Sequence, residues 1–477
     1  MPCCETGGRL PNSMDGDVVI CGGGLAGLAA AHALARAGRG VVVLEREARV
    51  GGLARTIEHR GQRFDLGGHR LLTDSARVGE LVREVVQEPL LSVPRASKIL
   101  LSGRYVDYPL QLLNAVAGLG PMATLRVLRG YLSAQLAHGL RRRAIVSLED
   151  WVVRHYGRPL FDLFFKPYSE KVWGLDCACI SADWVAQRIQ GLTLGMAIRR
   201  ALVRATADGP RTLATEFLYP ARGIGSIAEG MRAEIEKRGQ IRPDSSVTRL
   251  VHRAGRIERV AVRHGGASAF YRAQEFISSL PLPVLVRGLR PAPPFPVLEA
   301  AARLRYRDLL LVAVRLARER ATEQTWIYVP GREFSFGRVH EPKNWSTQMG
   351  TTGETLLVTE HFCSRADSVW RMEDSVLLER SIGELAALGL MRRADALDGL
   401  VVRVPCAYPL FEVGYVEACR VITDYLAGFA NLHVVGRTGA FRYHNMDHAI
   451  QSGLDAADAV LARSNAPRAV RRTGTHA

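Results

Sequence analysis

Three glycines near the N-terminus carry the first recognisable chemistry. In "DVVICGGGLAGLAAAHALARAGRGVVVLERE" a β-branched run, Asp17–Cys21, leads into Gly22-x-Gly24-x-x-Gly27. A small-residue segment, Leu25–Ala37, follows, then a second β-branched run, Gly40–Leu44, closed by Glu45. Gly22 permits a tight turn, Gly24 lets the backbone approach a pyrophosphate, and Gly27 lets a helix pack closely on the preceding strand. The free N–H groups of the helix entrance, at Leu25 and Ala26, and the positive end of its dipole suit that pyrophosphate. Glu45, 18 residues after Gly27, suits a ribose diol. The pattern predicts strand, turn, helix and strand around a bound dinucleotide.

The next segment separates the dinucleotides. "REARVGGLARTIEHRGQRFDLGGHRLLTD" places Gly51 and Gly52 just past the acidic strand end, between Arg49 and Arg55, and then Gly68 and His69 in "FDLGGH". This resembles the second motif of FAD proteins grouped with amine oxidases, protoporphyrinogen oxidases and UDP-galactopyranose mutases. The resemblance implies a double glycine running along the ribityl–diphosphate and a D-x-G-G element beside the flavin. It makes FAD the expected cofactor, and adds Arg46 and Leu53 to the residues expected to bind it.

Four further stretches, in order, are similar to UDP-galactopyranose mutase-like flavoproteins. "GGHRLLTD" (67–74) sets His69 at the mutase's first motif histidine, and "FFKPYSEKVWGLD" (164–176) sets Trp173 at its tryptophan. Arg188 follows at the spacing of a mutase arginine, and "FGRVHEPK" (336–343) sets Arg338 at a diphosphate-binding arginine. Tyr408 in "YP" and Tyr443 in "GRTGAFRYHNMD" stand where mutase tyrosines hold the substrate diphosphate. The resemblance puts Gly436, Arg437, Asn445, Met446 and Asp447 beside the flavin, and the Val247 backbone against the adenine. Asn445 replaces the first aspartate of the mutase's D-M-D, and Leu72 replaces its second histidine. Taken singly, each residue has an ordinary role: Trp173 as a core aromatic, Arg188 and Arg338 as ion-pair partners.

These residues are far apart, so several elements must bring them together. Gly120-Pro121 splits two helical patterns in "DYPLQLLNAVAGLGPMATLRVLRGYLSAQLAHGLRRRA", and Ser147 and Asp150 have capping-box spacing. A β-rich block spans 219–282, "YRDLLLVAVRL" and "TWIYVPGREFSFGRVHEPKNW" read as sheet strands, and "SVLLERSIGELAALGL" as a helix. The expected fold is α/β: a Rossmann-like FAD-binding domain of glutathione-reductase type, interleaved with a substrate domain of helices plus antiparallel sheet. Residues 15–75, 215–285 and 401–465 are assigned to the FAD domain and 76–214 and 286–400 to the substrate domain, with a disordered leader (1–14) and tail (466–477).

Composition narrows the partners. No run approaches the length of a membrane span, and the N-terminus lacks the apolar stretch of a secretory signal. Eight scattered cysteines without C-x-x-C or Cys/His clusters suggest a reducing, cytoplasmic setting and no metal. The net charge is +16, and only five basic residues are lysines. Arginine enrichment suits anionic ligands through bidentate pairing, whereas no Lys/Arg block interleaved with aromatics points to nucleic acid. The expected partner is a small, polar, anionic molecule such as a nucleotide-sugar, oxidised by hydride transfer to flavin N5. A membrane surface is not expected, and nothing indicates the oligomeric state. Two alternatives stay open: a non-redox pyranose/furanose mutase using reduced FAD as nucleophile, and a protoporphyrinogen- or amine-oxidase-type oxidase of an apolar substrate.

Overall fold

The computed structural model describes residues 13–101, 103–107, 120–140, 144–188 and 216–465. The expected tail, the leader up to residue 12 and the first of the two helices split at Gly120-Pro121 lie outside these residues. Ser13 and Met14 belong to the first strand.

Among the described residues the first large sheet is built on the N-terminal motif. Ser13–Cys21 pairs in parallel with Val41–Leu44 on one side and Ala267–Ser278 on the other, and Leu432–Val434 adds to the latter. Gln240–Arg242 extends the sheet beyond Val41–Leu44, and Ser245–Arg253 and Arg256–His264 form an antiparallel meander with Ala267–Ser278. Val18 to Ile20 and Val41 to Leu44 are buried throughout, as expected of parallel strands covered on both faces. The helix Leu25–Arg36 buries its alanines and leucines in one core with Gly225–Glu236 and Met446–Asn465.

The second sheet runs in the order 396–409, 306–316, 355–363, 338–340, 326–328, 97–101, 104–107. Its long central strands are buried on both faces. The helix Asp374–Ala387 packs Leu377 and Leu385 on one face, while Phe64 and Leu66, at the start of the D-x-G-G turn, pack on Leu309, Leu311, Leu356 and Val358 of the other. That second contact joins the two sheets. The helical region supplies Pro121–Leu140, then Leu148–Tyr156 behind the expected capping box, where Ser147 Oγ accepts from Asp150 N at 3.1 Å and Asp150 Oδ2 from Ser147 N at 3.1 Å.

Two elements cross the boundaries expected from sequence. Ala396–Pro409 runs through position 401 and is hydrogen-bonded along its length to Tyr306–Leu316, so its first part and its end both belong to the second sheet. The helix Ala76–Val85 packs Val78, Leu81 and Val82 into the core of the first.

Candidate functional site

The cofactor half is made almost entirely of main chain. A Cβ at Gly27 would lie 2.1 Å from the Gly22 carbonyl oxygen, so helix and turn approach more closely than any side chain allows. Gly51 N donates to Gly23 O at 2.7 Å, Gly24 and Gly51 form a parallel bridge, and a Cβ on Gly52 would sit 3.1 Å from Gly24 Cα. The two glycine motifs therefore form one surface. Leu53 follows, packed against the second sheet's core. Arg55 Nε closes the second turn on Gly52 O at 2.9 Å.

Glu45 is buried and holds the loop: Oε2 accepts from Gly23 N at 2.6 Å and Oε1 from Glu47 N at 2.9 Å. Its remaining lone pairs are available for ribose hydroxyls. Ser245 N donates to Glu45 O at 2.7 Å, which brings the bulged strand around Val247 beside the acidic strand end. Arg46 instead extends to the surface, pairing with Glu47 at 2.8 Å.

The C-terminal stretch closes this half. Gly436 adopts φ +80, where a Cβ would approach Ala26 Cβ at 3.1 Å, and its N–H donates to Ser452 Oγ at 3.0 Å. Gly453 is tighter still, since a Cβ there would lie 2.0 Å from Ala26 O. Asn445 is exposed and caps Met446–Asn465 through its carbonyl, which accepts from Ala449 N at 3.0 Å, whereas Met446 and Asp447 are buried.

The opposite wall consists of side chains. Trp173 ends the helix Lys166–Trp173, stopped by left-handed Gly174 (φ +66). It meets Trp184 edge-on at 4.8 Å, with Tyr408 at 6.3 Å and Phe411 at 6.2 Å, and Trp184 reaches Tyr443 at 6.0 Å. Tyr408 owes its place to a bulge. Cys406 takes φ +56, its N–H donates to Asp308 Oδ1 at 2.7 Å, and the register with Tyr306–Leu316 shifts there. The Arg437 guanidinium lies over both tyrosine rings, 5.0 Å from Tyr408 and 4.4 Å from Tyr443. Its Nη1 donates to His444 O at 2.9 Å, while Nε and Nη2 are buried with no protein acceptor.

Arg338 is already engaged. It stands directly opposite Glu360 on the neighbouring antiparallel strand. Nη2 donates to Glu360 Oε2 at 2.5 Å and to the Tyr408 hydroxyl at 3.0 Å. Glu360 is 1 % exposed, with His340 Nδ1 3.5 Å from its other oxygen. Burial raises its pKa, but Arg338 and His340 outweigh burial and hold the carboxyl at about 2. The expected diphosphate clamp is thus half of a compensated pair. His69 has its pKa lowered to about 4, chiefly by burial. Its Nδ1 lies 3.1 Å from Gly67 O, which assigns the proton to Nδ1 and leaves a lone pair on Nε2. Arg338, Glu360 and Arg437 all act on Tyr408, and together these three carry one net positive charge. Arg188 ends the helix Ala182–Arg188, and its side chain lies outside the described residues.

Several contributors escaped the sequence reading. Trp184, Ser452, Gly453, His340 and Glu360 all shape the site. For Glu360 a signal exists: it and His361 are the two ionisable side chains in the middle of the strand-like run "TLLVTEHFC", all nine residues of which are buried.

A nucleotide-binding sheet, two fused glycine turns and a helix closing on them from the far end of the sequence define a flavoprotein. The chain belongs to the family of flavin-containing amine oxidoreductases, whose model it matches over residues 25–461. Its cofactor is FAD. The glycine cradle, the uncapped helix entrance at Gly24 and the two orphaned N–H groups of Arg437 fit that cofactor. The fold is similar to that of reduced UDP-galactopyranose mutase (TM-score 0.81, 23 % identity, 94 % of this chain and 96 % of that one). It also resembles putrescine oxidase bound to putrescine (TM-score 0.65, 16 % identity, 94 % and 100 %). In sequence the chain is 37 % identical over 91 residues to all-trans-retinol 13,14-reductase of Macaca fascicularis, covering 19 % of this chain and 15 % of that one. It is 48 % identical over 67 residues to L-amino acid oxidase Cdc18 of Crotalus durissus cumanensis, covering 14 % of each. These alignments span about a seventh of the relatives' lengths.

Proposed function

We propose that the enzyme oxidises a polar, anionic small molecule, a nucleotide-sugar or related sugar-containing metabolite. Arg437 carries this reading: a guanidinium stacked on two tyrosines, with two buried N–H groups that no protein atom accepts. Leaving such donors unmatched is unfavourable, so the arrangement favours a phosphate or carboxylate, from the cofactor or from the substrate beside it.

The other residues divide the work. Because the Tyr408 oxygen accepts from Arg338, its own proton is directed elsewhere, toward a substrate oxygen. Tyr443 adds a second hydroxyl, and Trp173, Trp184 and Phe411 give an apolar face against which a sugar ring can lie. His69, neutral above about pH 4, offers the Nε2 lone pair as a base for the hydroxyl proton of an alcohol undergoing oxidation. Bound FAD supplies hydride acceptance at N5.

A second reading, a pyranose/furanose mutase using reduced FAD as nucleophile, is favoured by one observation. Arg338, Tyr408 and Tyr443, matched separately to the mutase's diphosphate-binding positions, converge on one wall. Anaerobic addition of nucleotide-sugars to the purified protein separates the readings. Bleaching of the flavin band supports oxidation. Isomerisation seen only after dithionite reduction supports the mutase. A panel that neither bleaches nor isomerises rules out the nucleotide-sugar in both.

A further inference from the structure

The helix Pro121–Leu140 shows a feature that the chemistry of the site does not use. One side packs down: a Cβ at Gly130 would lie 2.4 Å from the Pro159 ring, and one at Gly157 would lie 2.5 Å from Gly130 O. The opposite side presents Met122 (79 % exposed), Leu125 (52 %), Leu132 (60 %) and Leu136 (74 %) to solvent. With Arg129 they fall at intervals of three and four residues, one stripe about 21 Å long at 1.5 Å per residue. Single exposed apolar side chains are ordinary, but three leucines and a methionine aligned on one helix face mark a surface that meets something apolar.

We propose that this stripe docks on an anionic membrane surface, with the helix lying in the plane of the headgroups. Charge selects that partner. Between Asp107 and Glu149 the sequence holds no acidic residue and five arginines, while the whole chain carries +16. Arg126 and Arg129 stand on the exposed side. Arginine stems lie along apolar surface while their heads reach phosphates, and each basic residue near such a surface strengthens binding. A second copy fits less well. Arg129 is the midpoint of the stripe between Met122 and Leu136, so pairing the stripe with itself, parallel or antiparallel, sets Arg129 against its own copy in an apolar seam. Docking is peripheral, because among the described residues no helix is long and apolar enough to cross a membrane.

The test is co-sedimentation of the FAD-loaded full-length protein with vesicles of phosphatidylcholine alone or mixed with phosphatidylserine. The parent protein should bind the mixed vesicles and release them in high salt. Leu132→Ser with Leu136→Ser should weaken binding at least about tenfold. Arg126→Gln with Arg129→Gln should weaken it about fivefold per arginine and flatten the salt dependence. All four positions are surface sites, and an unchanged flavin spectrum verifies the fold of each variant. The proposal is overturned if the parent ignores anionic vesicles or if Leu132→Ser with Leu136→Ser binds them equally well. It is also overturned if the parent is a dimer that the leucine variant converts to monomer, which would assign the stripe to a second copy.

Discussion

The two halves of the site are built on opposite rules. Around the cofactor, backbone meets backbone: Gly22 with Gly27, Gly24 with Gly51 and Gly52, Ala26 with Gly453. On the facing wall, side chains from separate strands and helices hold one another: Arg338 with Glu360 and Tyr408, Arg437 with Tyr408 and Tyr443, Trp173 with Trp184. A backbone cradle tolerates almost no added atom, while a wall of side chains can be remodelled one residue at a time. The difference teaches how one cofactor platform can serve chemically different substrates.

That contrast can be broken experimentally. The largest effect belongs to the backbone side. Gly27→Val would force a side chain into the Gly22 carbonyl, so we expect protein lacking flavin absorbance and a loss of at least about 3 kcal/mol. Retention of stoichiometric flavin would mean that the cradle is not rigid.

The next effect is on the wall. Glu360→Ala leaves the Arg338 charge buried without its partner, and stability should fall by about 3–5 kcal/mol in chemical denaturation. Glu360→Leu combined with Arg338→Met should recover most of that loss, because no isolated charge remains. Should the double variant be no better than the single one, the pair is not the reason.

The pH response is smaller and has a defined sign. His69 titrates near 4 in the folded chain against 6.5 for a free histidine, so its contribution is fully present above about pH 6.5. It is lost as pH falls through 4, because only the unfolded chain takes up the proton early. His69→Gln should flatten part of the acid limb of a Tm-against-pH curve. His361 and His444, lowered to about 3 and about 4 by burial, preserve the remainder.

Tyr408→Phe should lower kcat/KM while leaving flavin content intact, and should reduce stability by only about 1 kcal/mol through the lost acceptor for Arg338. Smallest of all, Arg46→Ala should change Tm and flavin content little, within about 0.5 kcal/mol, since its side chain is 60 % exposed and paired with Glu47. A marked loss of FAD in Arg46→Ala would instead give a side chain a real share in the cofactor half.

Legibility in the sequence follows the same division. Strand 13–21, helix 25–36 and strand 41–44 were readable because each signal lies within a few residues of the next, and glycine is the only residue that permits the contact. The sequence marks Arg338 as a candidate but does not show it as half of an ion pair. Its partner is 22 residues away, and only strand pairing sets the two opposite each other. Trp184 was missed because an isolated tryptophan carries no periodic or motif signal. The boundary expected at 401 falls inside one continuous strand, Ala396–Pro409, which pairs with the second sheet throughout and carries Tyr408 near its end.

The seating of Gly453 against Ala26 also sets a clock. The partners are 427 positions apart, and a ribosome adding 5–20 residues per second needs roughly 20–90 s to travel between them. During that interval the first glycine turn exists without the helix that closes it. The closed form of the turn therefore exists only after residue 453 has been made, and a polypeptide released earlier leaves Ala26 and the apolar neighbours that Ile450, Leu454 and Ala457 pack against uncovered.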